Sequence, residues 1–353
     1  MNPAIDFLKG LFPETCHDRI FLVGGSVRDL LLGRGSNDID LVAALSGDAL
    51  APLGFRLVTG KSTAPIWFSH DPVFGKIEVT PLADISRLNA DLERRDFTIN
   101  ALAMTLAGRV IDPLGGRRDL EQRLLRACSP CSFLDDPLRI FRAFRFEAGG
   151  WRMTAETVAL IREREWKQPL ATVPVERFSR EMLKALETSG PERFFLRMLE
   201  LKIGEDRLPE LFRMPHIPAG PLIHHPEGDL FTHAIQVLQR VAEQTGDPLA
   251  RFCALFHDIG KLATDLCLYP RHHGHEEAGF ALATAFCDRL RLAATFRAAL
   301  AWTSRLHGTL NRWPELRDAT RIRVAEQAVK AGITGILPLV ALADKSGGVE
   351  IDE

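Results

Sequence analysis

The chain has 353 residues, 46% of them hydrophobic and 25% charged, which excludes a lone small module and a disordered or fibrous chain and leaves room for two or three domains. Lys and Arg number 44 against 46 Asp and Glu, for a formal charge of −2, so no global basic field marks a nucleic-acid binder, although a basic face fits inside a neutral total. The start Met1-Asn2-Pro3-Ala4-Ile5-Asp6 carries no basic segment followed by a long apolar one, and no run reaches the roughly 18 apolar residues that span a bilayer. Six scattered cysteines, at 16, 128, 131, 253, 267 and 287, suit reduced thiols. We expect a soluble cytoplasmic protein without disulfides or membrane contact. Cys128 and Cys131 form a lone CxxC without a second pair at zinc-finger spacing, and they read as ordinary thiols.

From Ile20 to about Ile111, short apolar stretches (IFLVGG, DIDLV, KIEV, RVIDPLGG) are broken by Gly, Asn, Asp and Pro, an α/β pattern. From Asp119 to Leu201 the apolar residues recur at helical spacing, and the region reads as all-helical. A stretch rich in Pro and Gly between Gly204 and Gly228 reads as a connector that includes His224 and His225, taken as structural. Helical spacing resumes at Leu230 and continues to the end. The pattern predicts an α/β region followed by all-α regions.

Leu22-Val23 followed by Gly24-Gly25 and the apolar run Val27, Leu30, Leu31 describes a strand, a tight turn and a helix start. Backbone amides at such a turn can face an anion, because glycine permits close approach and a helix start is partly positive. Arg28 adds a cation for a phosphate. In Asp38-Ile39-Asp40-Leu41, strand alternation puts both carboxylates on one face. Two readings are open: solvated acids at a turn, or a pair that holds Mg²⁺ for in-line phosphoryl displacement. In Arg94-Arg95-Asp96-Phe97-Thr98-Ile99-Asn100, the basic pair can clamp a triphosphate and Asp96 or Asn100 can orient a sugar hydroxyl; a charged helix cap is the plainer alternative. Asp136, Arg139 and Arg142 lie at i, i+3 and i+6 of a helix that Asp135 or Asp136 can cap. A carboxylate and a guanidinium on one face can also read the edge of a base.

LVGGSVRDLLLG, DIDLV, RRDFTINALAM, IDPLGGRRDLEQRLLR, DDPLRIFRAFRFEA and VERFSREMLKAL, in this order over residues 20–187, resemble the tRNA CCA-adding nucleotidyltransferases of the bacterial and eukaryotic type and their poly(A) polymerase relatives. The resemblance implies an α+β chain: a nucleotidyltransferase head with a mixed β-sheet over 1–132, an all-α neck over 133–203, a connector over 204–228 and a further all-α domain over 229–353. It implies attack of a tRNA 3′ hydroxyl on the α-phosphate of CTP or ATP. Asp38 and Asp40 would hold Mg²⁺; Gly25, Arg28 and Arg95 would contact the triphosphate, with Asp96 and Asn100 near the sugar. Asp136, Arg139 and Arg142 would act as the template for the incoming base. Asp135 stands where members usually carry Glu. The segment from Glu78 to Arg94 is short where CCA-adding members carry a charged flexible loop, which brings addition of CC alone level with addition of CCA. The ending Asn100-Ala101-Leu102-Ala103 favours these over poly(A) polymerase.

Further on, His233, the pair His257-Asp258 and Asp344 resemble the H…HD…D pattern of HD phosphohydrolases. The resemblance implies a transition metal or Mg²⁺ on these four residues. His275 and His307 are candidates for a second ion or for phosphate contact, although Gly308 follows His307 where related enzymes often have Asp. Phosphohydrolysis as the main activity is the alternative function. A non-catalytic RNA binder is disfavoured, because it has no use for paired acids. The basic residues between Arg117 and Arg180 suffice for several RNA phosphate contacts. The chain ends soon after Asp344, so we expect no separate tail domain for gripping tRNA.

Overall fold

The computed structural model describes residues 3–35, 38–58, 65–223 and 225–345; His224 lies outside them. They fall into two compact units. One runs through Arg139 and takes back Arg152–Glu163, and the other comprises Ile140–Trp151 and the residues from Arg164 onward.

The first unit is built on β1 (Ile20–Val23), β2 (Asp38–Ala43), β3 (Arg56–Val58), β4 (Ile66–Asp71), β5 (Gly75–Pro81), β6 (Ala103–Thr105) and β7 (Val110–Ile111). Among the described residues these form one sheet in the order β3-β4-β5-β2-β1-β6-β7. The β2–β5 pair is parallel and the other pairs are antiparallel, so the sheet is mixed, as the resemblance implies. Alternation settles its two faces. Ile20, Leu22, Ile39, Leu41, Ile77 and Val79 pack with Val27 and with Leu8 of the helix Pro3–Leu11. Phe21, Val23 and Val42 pack with Leu88, Leu92 and Ala101 on the other side. Asp38 and Asp40 therefore share the Val42 face of β2, two residues apart, as expected from the pattern.

The stretch read as helical from Asp119 is not wholly so. Leu124–Leu125 and Arg152–Met153 pair as a short parallel ladder, β8 with β9. Strands of this length carry no measurable period, so the helical spacing around them masks them.

The second unit is helical, and a row of aromatic rings forms its interior. Phe141 lies 4.7 Å from Phe178 and 6.3 Å from Phe194, Phe194 lies 5.2 Å from Phe195, Phe195 lies 6.4 Å from Phe256, and Phe256 lies 4.7 Å from Phe286. Edge-to-face pairs at such spacings add about 0.5–1.5 kcal/mol each beyond area burial. Buried Arg251 closes two helix ends together. Its guanidinium donates to Leu186 O at 2.6 Å and Thr188 O at 2.7 Å, at the end of Val175–Leu186, and to Ala242 O at 3.0 Å and Thr245 O at 2.7 Å, at the end of Leu230–Gln244. Carbonyls at helix ends lack intrahelical partners, and a buried guanidinium supplies the donors that they accept from.

Candidate functional site

In the first unit, β1 runs into Gly24, whose backbone has φ 69° and ψ −136°, a conformation that only glycine adopts without strain. A Cβ there would lie 2.7 Å from Arg95 Nη1 and 3.9 Å from Asp40 Oδ2. Both side chains thus reach the space beside the turn, and the glycine makes room for them. Gly25 opens the helix Gly25–Leu31, which carries Arg28. Ser26, which sequence reasoning passed over, fastens this turn to β2: its Oγ donates to Asp38 O and accepts from Asp40 N, each at 3.0 Å. The carboxylate pair is therefore held in register with the Gly-Gly turn by one hydroxyl.

Asp40 is half-buried, and Glu78 faces it across the parallel β2–β5 register. Burial first, then the negative charges of Glu78 and Asp38, push the Asp40 carboxyl upward, against the pull of Arg95 and Lys76. A half-buried acid beside two other acids is a site that a divalent cation relieves. The residues present therefore fit a hard metal ion, with Asp38 and Asp40 as the holders. Glu78 was not singled out from sequence, although alternation in Lys76-Ile77-Glu78-Val79 puts it on the same face.

The Arg-Arg-Asp block closes the site through a connected set of bonds. Arg28 donates Nε and Nη2 to the two oxygens of Asp29 at 2.9 and 3.0 Å, and Nη1 to Asn100 Oδ1 at 2.6 Å. Asn100 Nδ2 donates to Asp96 Oδ1 at 3.0 Å, and Phe97 N donates to the same oxygen at 2.8 Å. Asp91, buried and not anticipated, accepts from Arg94 Nε at 3.0 Å and from Arg95 Nη2 at 2.9 Å; its spacing of three and four residues from the two arginines was the available signal. The IDPLGGRRDL segment props the block from behind. Asp119 Oδ2 accepts from Thr98 Oγ1 at 2.7 Å, and a Cβ on Gly116 would meet Thr98 O at 2.1 Å.

Asp136 caps the helix Leu138–Ala148, accepting from Leu138 N at 3.2 Å. Arg139 Nη1 donates to Arg95 O at 3.3 Å and to Ser132 O and Oγ at 3.0 Å, and Nη2 donates to Arg94 O at 2.8 Å. Its guanidinium thus clamps the backbone of the Arg pair. Arg142 belongs to the second unit, where it lies 4.0 Å from Glu181, which also accepts from Arg145 at 2.5 Å.

The second unit gathers His233, His257, Asp258 and Asp344. His233 Nε2 lies 3.4 Å from His257 Nε2, 3.1 Å from Asp344 Oδ1 and 3.6 Å from Asp258 Oδ2. His257 Nε2 lies 3.3 Å from Asp258 Oδ2 and 3.8 Å from Asp344 Oδ1. His275 and His307 approach the other oxygen of Asp258, Oδ1, at 3.7 and 3.3 Å. That buried oxygen has no hydrogen-bond partner.

All four imidazoles are oriented alike. His233 Nδ1 meets Glu227 Oε1 at 2.7 Å, His257 Nδ1 meets Ala254 O at 2.8 Å, His275 Nδ1 meets His272 O at 2.7 Å, and His307 Nδ1 meets Ser304 O at 3.0 Å. A carbonyl or carboxylate only accepts, so each Nδ1 carries a proton and each Nε2 points toward the acids, where it would give its lone pair to a metal ion in place of a proton. Burial disfavours charge on His257, but Asp258 and Asp344 outweigh it and lift the imidazole to about 10. Both carboxylates sit well below their ordinary range: burial opposes this, while Lys261 and His257 draw Asp258 down and His233 and His257 draw Asp344 down. The donor set fits a metal ion on His233, His257, Asp258 and Asp344. Asp258, His275 and His307 form a second such group, and it needs no side chain at position 308. His225, read as structural, also meets Glu227 Oε1, at 3.0 Å.

Comparison with known proteins agrees with both units. Residues 20–57 and 68–126 match the model of the poly A polymerase head domain, and residues 230–345 match that of the HD domain. Two bacterial relatives described as multifunctional CCA proteins align along most of the chain. That of Methylococcus capsulatus is 38% identical over 329 residues, covering 88% of this chain and 76% of its own, and that of Legionella pneumophila is 34% identical over 334 residues, covering 88% and 79%. A Thermotoga maritima CCA-adding enzyme, solved in complex with tRNA, shares the fold with a TM-score of 0.64 at 23% identity, over 98% of this chain and 81% of that one.

A sheet-borne carboxylate pair beside a glycine turn, in a head of this type, defines a nucleotidyltransferase, here followed by an HD domain. The chain belongs to the multifunctional CCA protein family. Among the described residues no helix is long and apolar enough to cross a membrane.

Proposed function

We propose that the protein adds the 3′-terminal nucleotides of tRNA from CTP and ATP without a nucleic-acid template, in the cytoplasm. The observation that carries this is Asp40, half-buried beside Asp38 and Glu78 and facing the space that Gly24 leaves open for Arg95. Mg²⁺ on Asp38 and Asp40 would supply the electrophilic polarisation of the α-phosphate and lower the pKa of the attacking 3′ hydroxyl. The chain's own residues do the positioning. Gly25, Arg28 and Arg95 receive the triphosphate, from which pyrophosphate leaves, and Asp96 with Asn100 orients the sugar. The rigid Asp29–Arg28–Asn100–Asp96 connection supports this placement, since preset geometry lowers the entropic part of the barrier.

Base selection falls to Asp136, Arg139 and Arg142, and for Arg139 it requires release of some of its bonds to Arg94 O, Arg95 O and Ser132. We assign the head to 1–132, the neck to 133–203, the connector to 204–228 and the HD domain to 229–353.

Addition of the full CCA is supported by the relatives described as multifunctional CCA proteins, at 34% identity and above. Addition of CC alone is supported by the short passage from β5 to Arg94, which a turn at Ile85–Arg87 and the helix Leu88–Glu93 fill. A tRNA transcript lacking its 3′ end, incubated with Mg²⁺ and CTP, ATP or both, separates these. Growth by three residues with both nucleotides supports CCA addition, growth by two regardless of ATP supports CC addition, and a long tail with ATP alone supports a poly(A) polymerase.

A second activity, metal-dependent phosphohydrolysis, is favoured by the four Nε2 atoms converging on Asp258 and Asp344. His233, His257, Asp258 and Asp344 would hold a transition metal or Mg²⁺ there, which would supply an activated water.

A further inference from the structure

Ser132 is fully buried, and its hydroxyl is committed on both sides. Oγ donates to Asp96 O at 3.0 Å and accepts from Arg139 Nη1, also at 3.0 Å. The directions are fixed, because a guanidinium only donates and a carbonyl only accepts. Each bond polarises the other, so a hydroxyl that donates is the better acceptor. Through its side chain Asp96 also holds Asn100 and Phe97 N. One oxygen atom thus joins the block assigned to the sugar to a residue assigned to the base.

Arg139 is held unevenly. Nη1 donates to Ser132 Oγ, Ser132 O and Arg95 O, and these bonds are partly buried. Nη2 makes a single bond, to Arg94 O, and that bond is exposed. Among the described residues nothing accepts from Nε. Nε and Nη2 form one edge of the planar fork, with two N–H groups that point the same way. Breaking the one bond to Arg94 O therefore frees a complete two-donor edge while Nη1 stays on Ser132.

We infer that Ser132 is a positioning residue for base selection: its hydroxyl keeps Arg139 Nη1 in place as a pivot while the Nε–Nη2 edge turns to the incoming base. The inference rests on the reading of Arg139 as a residue that contacts the base. An edge made only of donors accepts a base whose ring nitrogen is an acceptor, as N3 of cytosine and N1 of adenine are. It rejects a base whose ring nitrogen carries hydrogen, as N3 of uracil and N1 of guanine do. Rejection of this kind needs the edge in one orientation, because a guanidinium free to swing turns its donors away from the opposing N–H and loses the repulsion. Ser132 supplies that constraint from a buried position that solvent does not compete for.

The test is incorporation of a single nucleotide into truncated tRNA by the full-length protein with Mg²⁺, comparing CTP with UTP by kcat/KM. In Ser132→Ala, Asp96 O still accepts from Cys128 N at 3.2 Å, and Arg139 Nη1 still has Ser132 O and Arg95 O. No buried group is orphaned, so the variant should fold. Its preference for CTP should fall by about tenfold, the size of one hydrogen bond to a charged group, through a higher KM for CTP with kcat kept. Arg139→Ala should lower the preference at least as far, and Ser132→Ala added to it should change nothing more, because the hydroxyl acts through the guanidinium. Thr157→Val removes another buried hydroxyl of the same unit, one that accepts from Ala127 N at 3.0 Å, and should keep the parental preference. A parental preference in Ser132→Ala beside a loss in Arg139→Ala would overturn the inference alone. A further loss in the double variant, or an equal loss in Thr157→Val, would overturn it too. An unchanged preference in Arg139→Ala would overturn the reading of Arg139 and the inference with it.

Discussion

Arg28 Nη1 donates to Asn100 Oδ1 across 2.6 Å, joining residues 72 positions apart. Through this bond the glycine turn and the Arg-Arg-Asp block become one rigid surface, continued on one side to Asp29 and on the other to Asp96. Members of such a chain hold one another in orientation, so loss of one is felt by the rest.

Asn100→Ala removes the acceptor of Arg28 and the donor to Asp96 at a buried position. Leaving buried partners unsatisfied costs about 1–3 kcal/mol. We expect that loss in denaturant unfolding, together with a rise of about tenfold in KM for the nucleotide. An unchanged KM would remove Asn100 from the placement of the substrate.

Gly24 and Gly33 both have φ of 69°, but a Cβ at Gly24 would lie 2.7 Å from Arg95 Nη1 whereas one at Gly33 meets nothing within 4 Å. Gly33→Ala should therefore show only the backbone strain, about 1–2 kcal/mol, and keep nucleotide incorporation. Gly24→Ala should show a similar loss of stability and also depress incorporation, because Arg95 must move. Equal incorporation by the two variants would show that the position of Arg95 beside the turn is immaterial.

The cysteines give a prediction in pH. Burial, then the charge of Asp96, pushes the Cys128 thiol up to about 12, and burial pushes Cys287 to about 12 and Cys253 still higher. A raised thiol pKa keeps the group protonated and poorly nucleophilic until the pH nears that value. Alkylation of the native protein at pH 8, read by peptide mass spectrometry, should modify exposed Cys131 and Cys267 and spare these three, and raising the pH to 9.5 should not bring Cys128 in. Modification of Cys128 at the rate of Cys131 would contradict the upward shift of its thiol.

Much of this site was legible in the sequence because it depends on short-range rules. Alternation in Asp38-Ile39-Asp40-Leu41 places both acids on one face, and the Gly-Gly turn marks a backbone conformation closed to other residues. What escaped depends on tertiary placement. Ser26 ties the turn to β2, Glu78 meets Asp40 only through the parallel register, and Glu227 orients His233 from outside its helix. Arg139 shows the converse: its spacing suggests a free base-reading face, whereas the fold occupies its guanidinium with the carbonyls of Arg94 and Arg95. The β8–β9 pair escaped for want of length.

The central claim is that nucleotide transfer belongs to the head carboxylates and not to the HD cluster. The measurement that tests it most directly is CMP incorporation into truncated tRNA by Asp40→Ala and His257→Ala, with metal content measured for each. Asp40→Ala should lose about 100-fold or more in rate, as expected where several kcal/mol of charge stabilisation are removed, and His257→Ala should incorporate at the parental rate with less bound metal. Incorporation that survives Asp40→Ala and falls with His257→Ala would contradict the account.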